Sequence, residues 1–465
     1  MRLKNRFLII FMVYIVSLAG SVIADDEYLK CKGCNVVLLD LDLLRADFVN
    51  TGVDSSVTPN IDRFFGNSIK FLDVSSSSGV TAISNTATLS SRHGAFTYAL
   101  LRNTYEDRPP QIPLRHVNLF KQTPTLLETL KANGYYTINA NHGWYAGRQM
   151  LLDRGVDNYV GLGEVYNQEN TPGRIMSHTV NLLSTDALTN VPFVLLMRSE
   201  DLRGLPYRYP IDRARLSHPK VTYKESPDSN YYEIRYQLRR DGVIRQGYSS
   251  FEKSDWMDSV QSQEYNKISK MLYRQQLRFV DEMIASVFDA LRETKLLDNT
   301  IVILYSNHGD GLYDNNIPNH GVSYQSCVSV PLFIRHPRHS NEINISKPVA
   351  LIDLVPTIID ILDIKVGHKF DGVSLLETIR SGIYPSAHFF GVDKQSKYVR
   401  HNSYKLIVWP DRSKELFDLA TDPGETVNLV DVFPDMVKAL EERLVEHEAE
   451  QLELAYDLLR QFGQP

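Results

Sequence analysis

Apolar positions along this chain fall into short unbroken runs separated by longer amphipathic stretches. Asn35 to Leu44 reads NVVLLDLDLL, a continuous apolar run interrupted only by Asp40 and Asp42, as expected of a strand covered on both faces. PFVLLM from Pro192 and TIVILY from Thr300 to Tyr305 have the same character. Between them TPTLLETLKANG, Thr123 to Gly134, carries the Thr start and Gly stop of a helix. YYTINA from Tyr135 then reads as a strand, and Ser269 to Lys295 as a long amphipathic helix. Strands alternating with helices predict an α/β fold around a mostly parallel sheet with right-handed crossovers. From about Asp371 the pattern changes to short strands, YVRHNSYKLIVW and KELFDL, and a last helix from Pro434 to Phe462. This predicts a small carboxyl-terminal α+β subdomain over 371–465, behind a main domain over 25–370.

Leu205 to Asp258 is polar and rich in Tyr and Arg, with no clean period. Because it follows the PFVLLM strand, it should leave the sheet at the carboxyl edge, where open α/β folds bind ligands. A substrate-selecting cover and a plain solvated insertion are equally compatible with its composition.

The first residues are of another kind. Arg2, Lys4 and Arg6 precede a largely apolar run from Phe7 to Leu18, and Val22-Ile23-Ala24 offers small residues where a signal peptidase reads. We expect a signal peptide over 1–24 and a periplasmic or secreted protein, an uncleaved anchor being the alternative. No later segment reads as a transmembrane helix, so none is expected after cleavage. Loss of the three basic residues takes the net charge from −6 to −9, which argues against nucleic acid as a partner. Of three cysteines, Cys31 and Cys34 form a C-x-x-C ahead of the first strand. A small disulfide staple suits an oxidising compartment better than a redox motif, which should follow a strand, or a metal site, which needs two more ligands.

Two strand ends carry candidate chemistry. Asp42 closes the first strand, and Asn307-His308-Gly309-Asp310 follows the TIVILY strand. Buried carboxylates are costly unless paired or bound to a cation, and two such ends could converge on one divalent ion. NVVLLDLDLLRADF with TPNIDRFF, LDNTIVILYSNHGDGL, Asn319-His320-Gly321 with Tyr324-Gln325, VPLFIRHP, VALIDLVPTIIDIL, FDGVSLL, and YKLI with ELFDLATDPGETVNL together resemble the sulfatase branch of the alkaline-phosphatase superfamily, in order and over nearly the whole chain. The resemblance implies a mixed sheet between helices with a small carboxyl-terminal sheet domain. It also implies a single divalent metal (zinc, manganese or calcium) and an anionic ester of a small molecule, glycan or lipid headgroup as substrate.

The chain departs from that family at its nucleophile. Sulfatases carry Cys-x-Pro-x-Arg or Ser-x-Pro-x-Arg for conversion to formylglycine, whereas here Thr81 is followed by Ala82-Ile83-Ser84-Asn85. SSSSGVTAISNTATLSS instead resembles the loop of phosphoethanolamine transferases, in which Gly79, Thr81, Ala82 and Ser84 match a pattern with a metal-bound threonine nucleophile. By this comparison Asp42, Thr81, Asn307 and His308 hold the metal and His320 contacts the transferred group. Asn307 stands where the family has Asp. Asp40, on the same strand face as Asp42, either restores that charge or forms a buried ion pair. Arg203 occupies the place of a family His and, always charged, is suited to clamping an anion. Arg92 falls at a family position and is either an anion contact or a structural ion pair. His142 is an alternative proton donor or an ordinary loop histidine. Three functions follow: phosphoester hydrolysis or transfer through Thr81, which we favour; sulfate-ester hydrolysis without formylglycine; and binding of anionic ligands without turnover.

Overall fold

The computed structural model describes residues 26–49, 57–96, 123–142, 152–162, 173–185, 188, 191–204, 259–393 and 395–461. The expected signal peptide and the 205–258 insertion lie outside the described residues, as does the side chain of Arg203. The central layer is an eight-stranded sheet. Its strands are β1 (Asn35–Leu41), β2 (Ile69–Phe71), β4 (Tyr136–His142), β5 (Asn158–Leu162), β6 (Phe193–Ser199), β7 (Thr300–Tyr305), β8 (Leu332–Arg335) and β9 (Ile343–Ile345), in the order β5-β4-β6-β1-β7-β8-β2-β9. β4, β5, β6, β1 and β7 run parallel, and β8 is antiparallel to both β7 and β2. The sheet is therefore mixed and mostly parallel. A short pair, β3 (Val74–Ser75) with β10 (Val349–Ala350), lies apart from it.

The strand sequences account for this placement. All seven residues of β1, all seven of β6 and all six of β7 are buried, so each strand has apolar cover on both faces. Val36, Leu38, Val194, Leu196, Ile301 and Ile303 pack into one core, and Val37, Leu39, Leu195, Met197, Val302 and Leu304 into the opposite one. The second core is closed by the helix Ser259–Glu293, which begins ten residues before the Ser269 expected from the sequence. The helix after Thr123 is Leu126–Ala132, capped by Thr125 in a reciprocal box with Glu128. Pro124 keeps the chain ahead of that cap extended. Cys31 and Cys34 form a disulfide at the foot of β1, and Cys327 is a buried free thiol. None of the described helices is long and apolar enough to cross a membrane.

The chain ends in a four-stranded antiparallel sheet, β11 (His388–Val392), β12 (Lys397–His401), β13 (Tyr404–Val408) and β14 (Lys414–Asp418), in sequence order. The helix Pro434–Gln461 packs on it through Val437, Leu440 and Leu444 against Val399, Leu406 and Leu416. Beneath this helix lies a group of imidazoles. His447 stacks on Phe390 at 3.8 Å and meets His93 edge-on at 4.4 Å. Burial, with the nearby His93 and Arg443, pushes His447 down to about 3. A histidine held below its unfolded pKa contributes stability at neutral pH that is lost as pH falls from about 6.5 toward 3, at up to about 1.4 kcal/mol per pH unit. His447→Phe should therefore flatten the fall in Tm between pH 6.5 and 4.5, measured by thermal denaturation. An unchanged slope would show that His447 does not carry the effect.

Candidate active site

Three neighbouring parallel strands deliver the site. β6, β1 and β7 lie side by side, and their carboxyl ends bring Arg198, Asp40 with Asp42, and Asn307 with His308 to one edge of the sheet. Register explains the first contact. Asp40 sits directly beside Arg198 on one side and Tyr305 on the other, so the three side chains share one face. Arg198 Nε lies 3.4 Å from Asp40, Nη2 lies 3.3 Å from Asp42, and Nη1 lies 3.0 Å from Glu200 and donates to the His142 carbonyl at 2.6 Å. Arg198 is 2% exposed. Asp40 also accepts the Asn307 N–H at 3.2 Å, and burial pushes its carboxyl up to about 7 against the pull of the guanidinium.

Thr81 arrives from another direction. It opens the helix Thr81–Ser90, preceded by the extended Val80. The turn before it is pinned: Asp393 accepts from the Ser78 hydroxyl at 2.6 Å and the Gly79 N–H at 2.7 Å, and from Ser323 at 3.0 Å. At Gly79 a Cβ would lie 2.9 Å from the Val322 carbonyl, so the close approach requires glycine. The Ser76 and Ser84 hydroxyls lie 2.6 and 2.5 Å from the Asn307 carbonyl, tying the turn and the helix to the end of β7.

At the centre, Thr81 Oγ1 is 2.9 Å from His308 Nε2, and Asp42 Oδ1 is 3.5 Å from the same nitrogen. His308 Nδ1 is 2.8 Å from the Gly309 carbonyl. A carbonyl can only accept, so Nδ1 carries the proton and Nε2 presents its lone pair to Thr81. The His320 ring stacks on His308 at 4.8 Å, and its Nδ1 lies 3.4 Å from Asp310. Thr81, Asp42, Asn307 and His308 are all buried. Among the described residues no three His, Cys, Asp or Glu side chains could hold a metal by themselves. Asp42 and His308 would need Asn307 and Thr81 to complete a set. Three lone-pair-bearing atoms, Asp42 Oδ1, Thr81 Oγ1 and His308 Nε2, nevertheless face one another closely enough to suit one small cation.

Arg92, His142 and Arg203 are the remaining candidates. Arg92 pairs with Asp371 at 2.7 Å, and Asp371 also accepts the His93 N–H at 3.0 Å, so its guanidinium serves the end of the Thr81–Ser90 helix. His142 closes β4, with Nδ1 4.0 Å from Asp201. Arg203 stands on the short turn Asp201–Gly204 after β6. Arg198 is the site residue that motif reasoning passed over. Its signal was a lone arginine ending an otherwise apolar strand.

A profile of the sulfatase family matches residues 34–199 and 217–364. The chain belongs to the sulfatase family. A second profile, N-sulphoglucosamine sulphohydrolase, C-terminal, matches residues 311–450 and covers the small sheet and the first part of its helix. Arylsulfatase K of Bos taurus is 27% identical over 301 residues, 57% of this chain and 53% of that protein. The chain thus spans about half the length of the curated relatives it matches, or less. A solved 2-O GAG sulfatase superposes with a TM-score of 0.65 at 18% identity, covering 90% of this chain and 93% of that one. The phosphonate monoester hydrolase of Agrobacterium radiobacter gives 0.62 at 16%, covering 90% and 96%. At such identities the likeness establishes the fold, a sulfatase-like α/β sandwich with an added antiparallel sheet.

Proposed function

We propose that this sulfatase-family protein is an exported hydrolase or transferase of anionic esters, with Thr81 as nucleophile and phosphoesters as the favoured substrates. The observation that carries the reading is the 2.9 Å contact from Thr81 Oγ1 to the unprotonated Nε2 of His308. A threonine hydroxyl needs an adjacent base or a cation to attack at neutral pH, and this contact supplies the base. Thr81 Oγ attacks phosphorus or sulfur while its proton passes to His308 Nε2, and Asp42 at 3.5 Å steadies the imidazolium. The ester oxygen leaves with a proton from His320, which stacks beside His308. Water, or an acceptor hydroxyl, then displaces the covalent group from Thr81, giving its proton to His320 while His308 returns its proton to the Thr81 oxygen. The opening N–H groups of the Thr81 helix face the anion's oxygens, and the family comparison gives Arg203 the part of clamping it. Arg92, engaged with Asp371, acts by fixing the far end of that helix.

Sulfatases of this family are metal-dependent, and Asp42, Thr81, Asn307 and His308 are the residues that would hold the ion. When bound, it would occupy the His308 lone pair, acidify the threonine hydroxyl in place of the imidazole base, and polarise the ester. The second reading is sulfate-ester hydrolysis. Family membership favours it, whereas the threonine in place of a formylglycine precursor favours phosphorus. A substrate that is a glycan or a lipid headgroup would suit either.

The deciding experiment offers the purified protein aryl phosphate, phosphonate and sulfate esters side by side, with and without zinc, manganese or calcium, and with His308→Gln as control. Phosphate or phosphonate release that falls about a hundred-fold or more in the variant supports the reading. Sulfate release as the main activity would replace it with the second, and silence on every ester would leave a protein that binds anions without turning them over.

A further inference from the structure

A divalent ion at Asp42 would have a neighbour that the metal chemistry does not call for. Arg198 places its guanidinium 3.3 Å from Asp42 and 3.4 Å from Asp40, within the same buried strand-end cluster. Each of its nitrogens faces an acceptor: Nε faces Asp40, Nη2 faces Asp42, and Nη1 bonds Glu200 and the His142 carbonyl. An arginine cannot be deprotonated in a protein, and one held from four sides in the β6 strand end cannot swing away. The ligand set meanwhile has a neutral amide, Asn307, in place of a carboxylate, so Asp42 is its one anionic member.

We infer that Arg198 is the resident cation of this site, a fixed positive charge that neutralises Asp40 and Asp42 from within the chain and leaves only a weak affinity for a divalent metal. The inference rests on the reading of Asp42, Thr81, Asn307 and His308 as the cation pocket. It goes beyond that reading by assigning the carboxylates' counter-charge to the protein itself. Hard divalent cations are held by several oxygen anions together. Here the one ligand carboxylate already shares its charge with a guanidinium at contact distance, and at such separations a unit charge in a protein interior changes ion affinity by a factor of about ten or more.

The test measures metal directly, independent of turnover. The full chain, stripped with chelator, is dialysed against graded zinc, manganese and calcium chlorides, and bound metal is counted by mass spectrometry. The wild-type protein should bind each ion weakly, and Arg198→Lys, which keeps a cation there, should match it. Arg198→Met should bind at least about ten-fold more tightly. Because that variant leaves two carboxylates buried together, Asp40→Asn/Arg198→Met serves as the second comparison, expected to bind more tightly than Asp40→Asn alone. One equivalent of tightly held metal in the wild-type chain, or no gain in either methionine variant, would overturn the inference. A gain in affinity in a protein with no esterase activity would keep the inference and remove the proposed function.

Discussion

Replacing Thr81 by alanine is expected to lower turnover of whichever ester the protein cleaves by about a thousand-fold or more, with little change in Tm. The hydroxyl lies 2.9 Å from His308 Nε2, and the helix it opens is held by other groups, Ser76, Ser84 and Asp393. Removing it therefore removes chemistry without loosening the turn. Thr81→Ser keeps the oxygen and should retain most of the rate, within about ten-fold, the loss reflecting the freer χ1 of an unbranched side chain. Steady-state kinetics on the three proteins, with thermal melts as the control, checks the expectation. A Thr81→Ala enzyme as active as the parent would mean that water attacks directly and that Thr81 merely fills space.

The second large effect concerns stability. Lys405 of β13 and Glu425 are 0% and 1% exposed and pair at 2.8 Å. Lys405 also donates to Gln325 at 2.9 Å, and the Gln325 N–H donates to Glu425 at 2.5 Å. Burial lowers the lysine's pKa and raises the glutamate's, in both cases as the largest cause and against the attraction of the pair. Neither charge is comfortable here without the other. Lys405→Met should accordingly cost about 3–5 kcal/mol, the usual penalty for orphaning one partner of a buried pair. The double change Lys405→Met/Glu425→Leu should recover a large part of it. Urea denaturation of the three proteins decides the point. A single variant as stable as wild type would show that the pair is not the latch between the small sheet and the loop carrying His320.

Much of this was legible beforehand, for specific reasons. β1 announced itself because acids inside an apolar run are rare and costly, and the same logic gave His308 and Asn307 at the end of β7. Thr81 followed from its neighbours in SSSSGVTAIS. Arg198 carries the same kind of signal, yet the family pattern points to Arg203, five residues on, because that position matches a family histidine. The Lys405, Gln325 and Glu425 latch had no local signal at all. Nothing in YKLIV marks Lys405 as the buried member of an ion pair, and the three residues meet only after the small sheet packs on the main domain. Periodicity reports which face of an element is buried and is silent on what it will touch. The YKLI and DPGETVNL resemblances thus acquire a physical cause: they hold the two ends of one buried ion pair.

The strand order carries a consequence for how the chain is made. β1 takes its two partners from far downstream: Val36 pairs with Val194 in β6, and Asn35 meets Thr300 in β7 across a separation of 265 residues. At the ribosome's pace of about 5–20 residues per second, that interval is roughly 13–50 s during which a strand buried along its whole length has no partner on its β7 side. The active site therefore cannot form as the chain emerges. It must assemble late and all at once from a nascent polypeptide that stays open for long enough to need a chaperone.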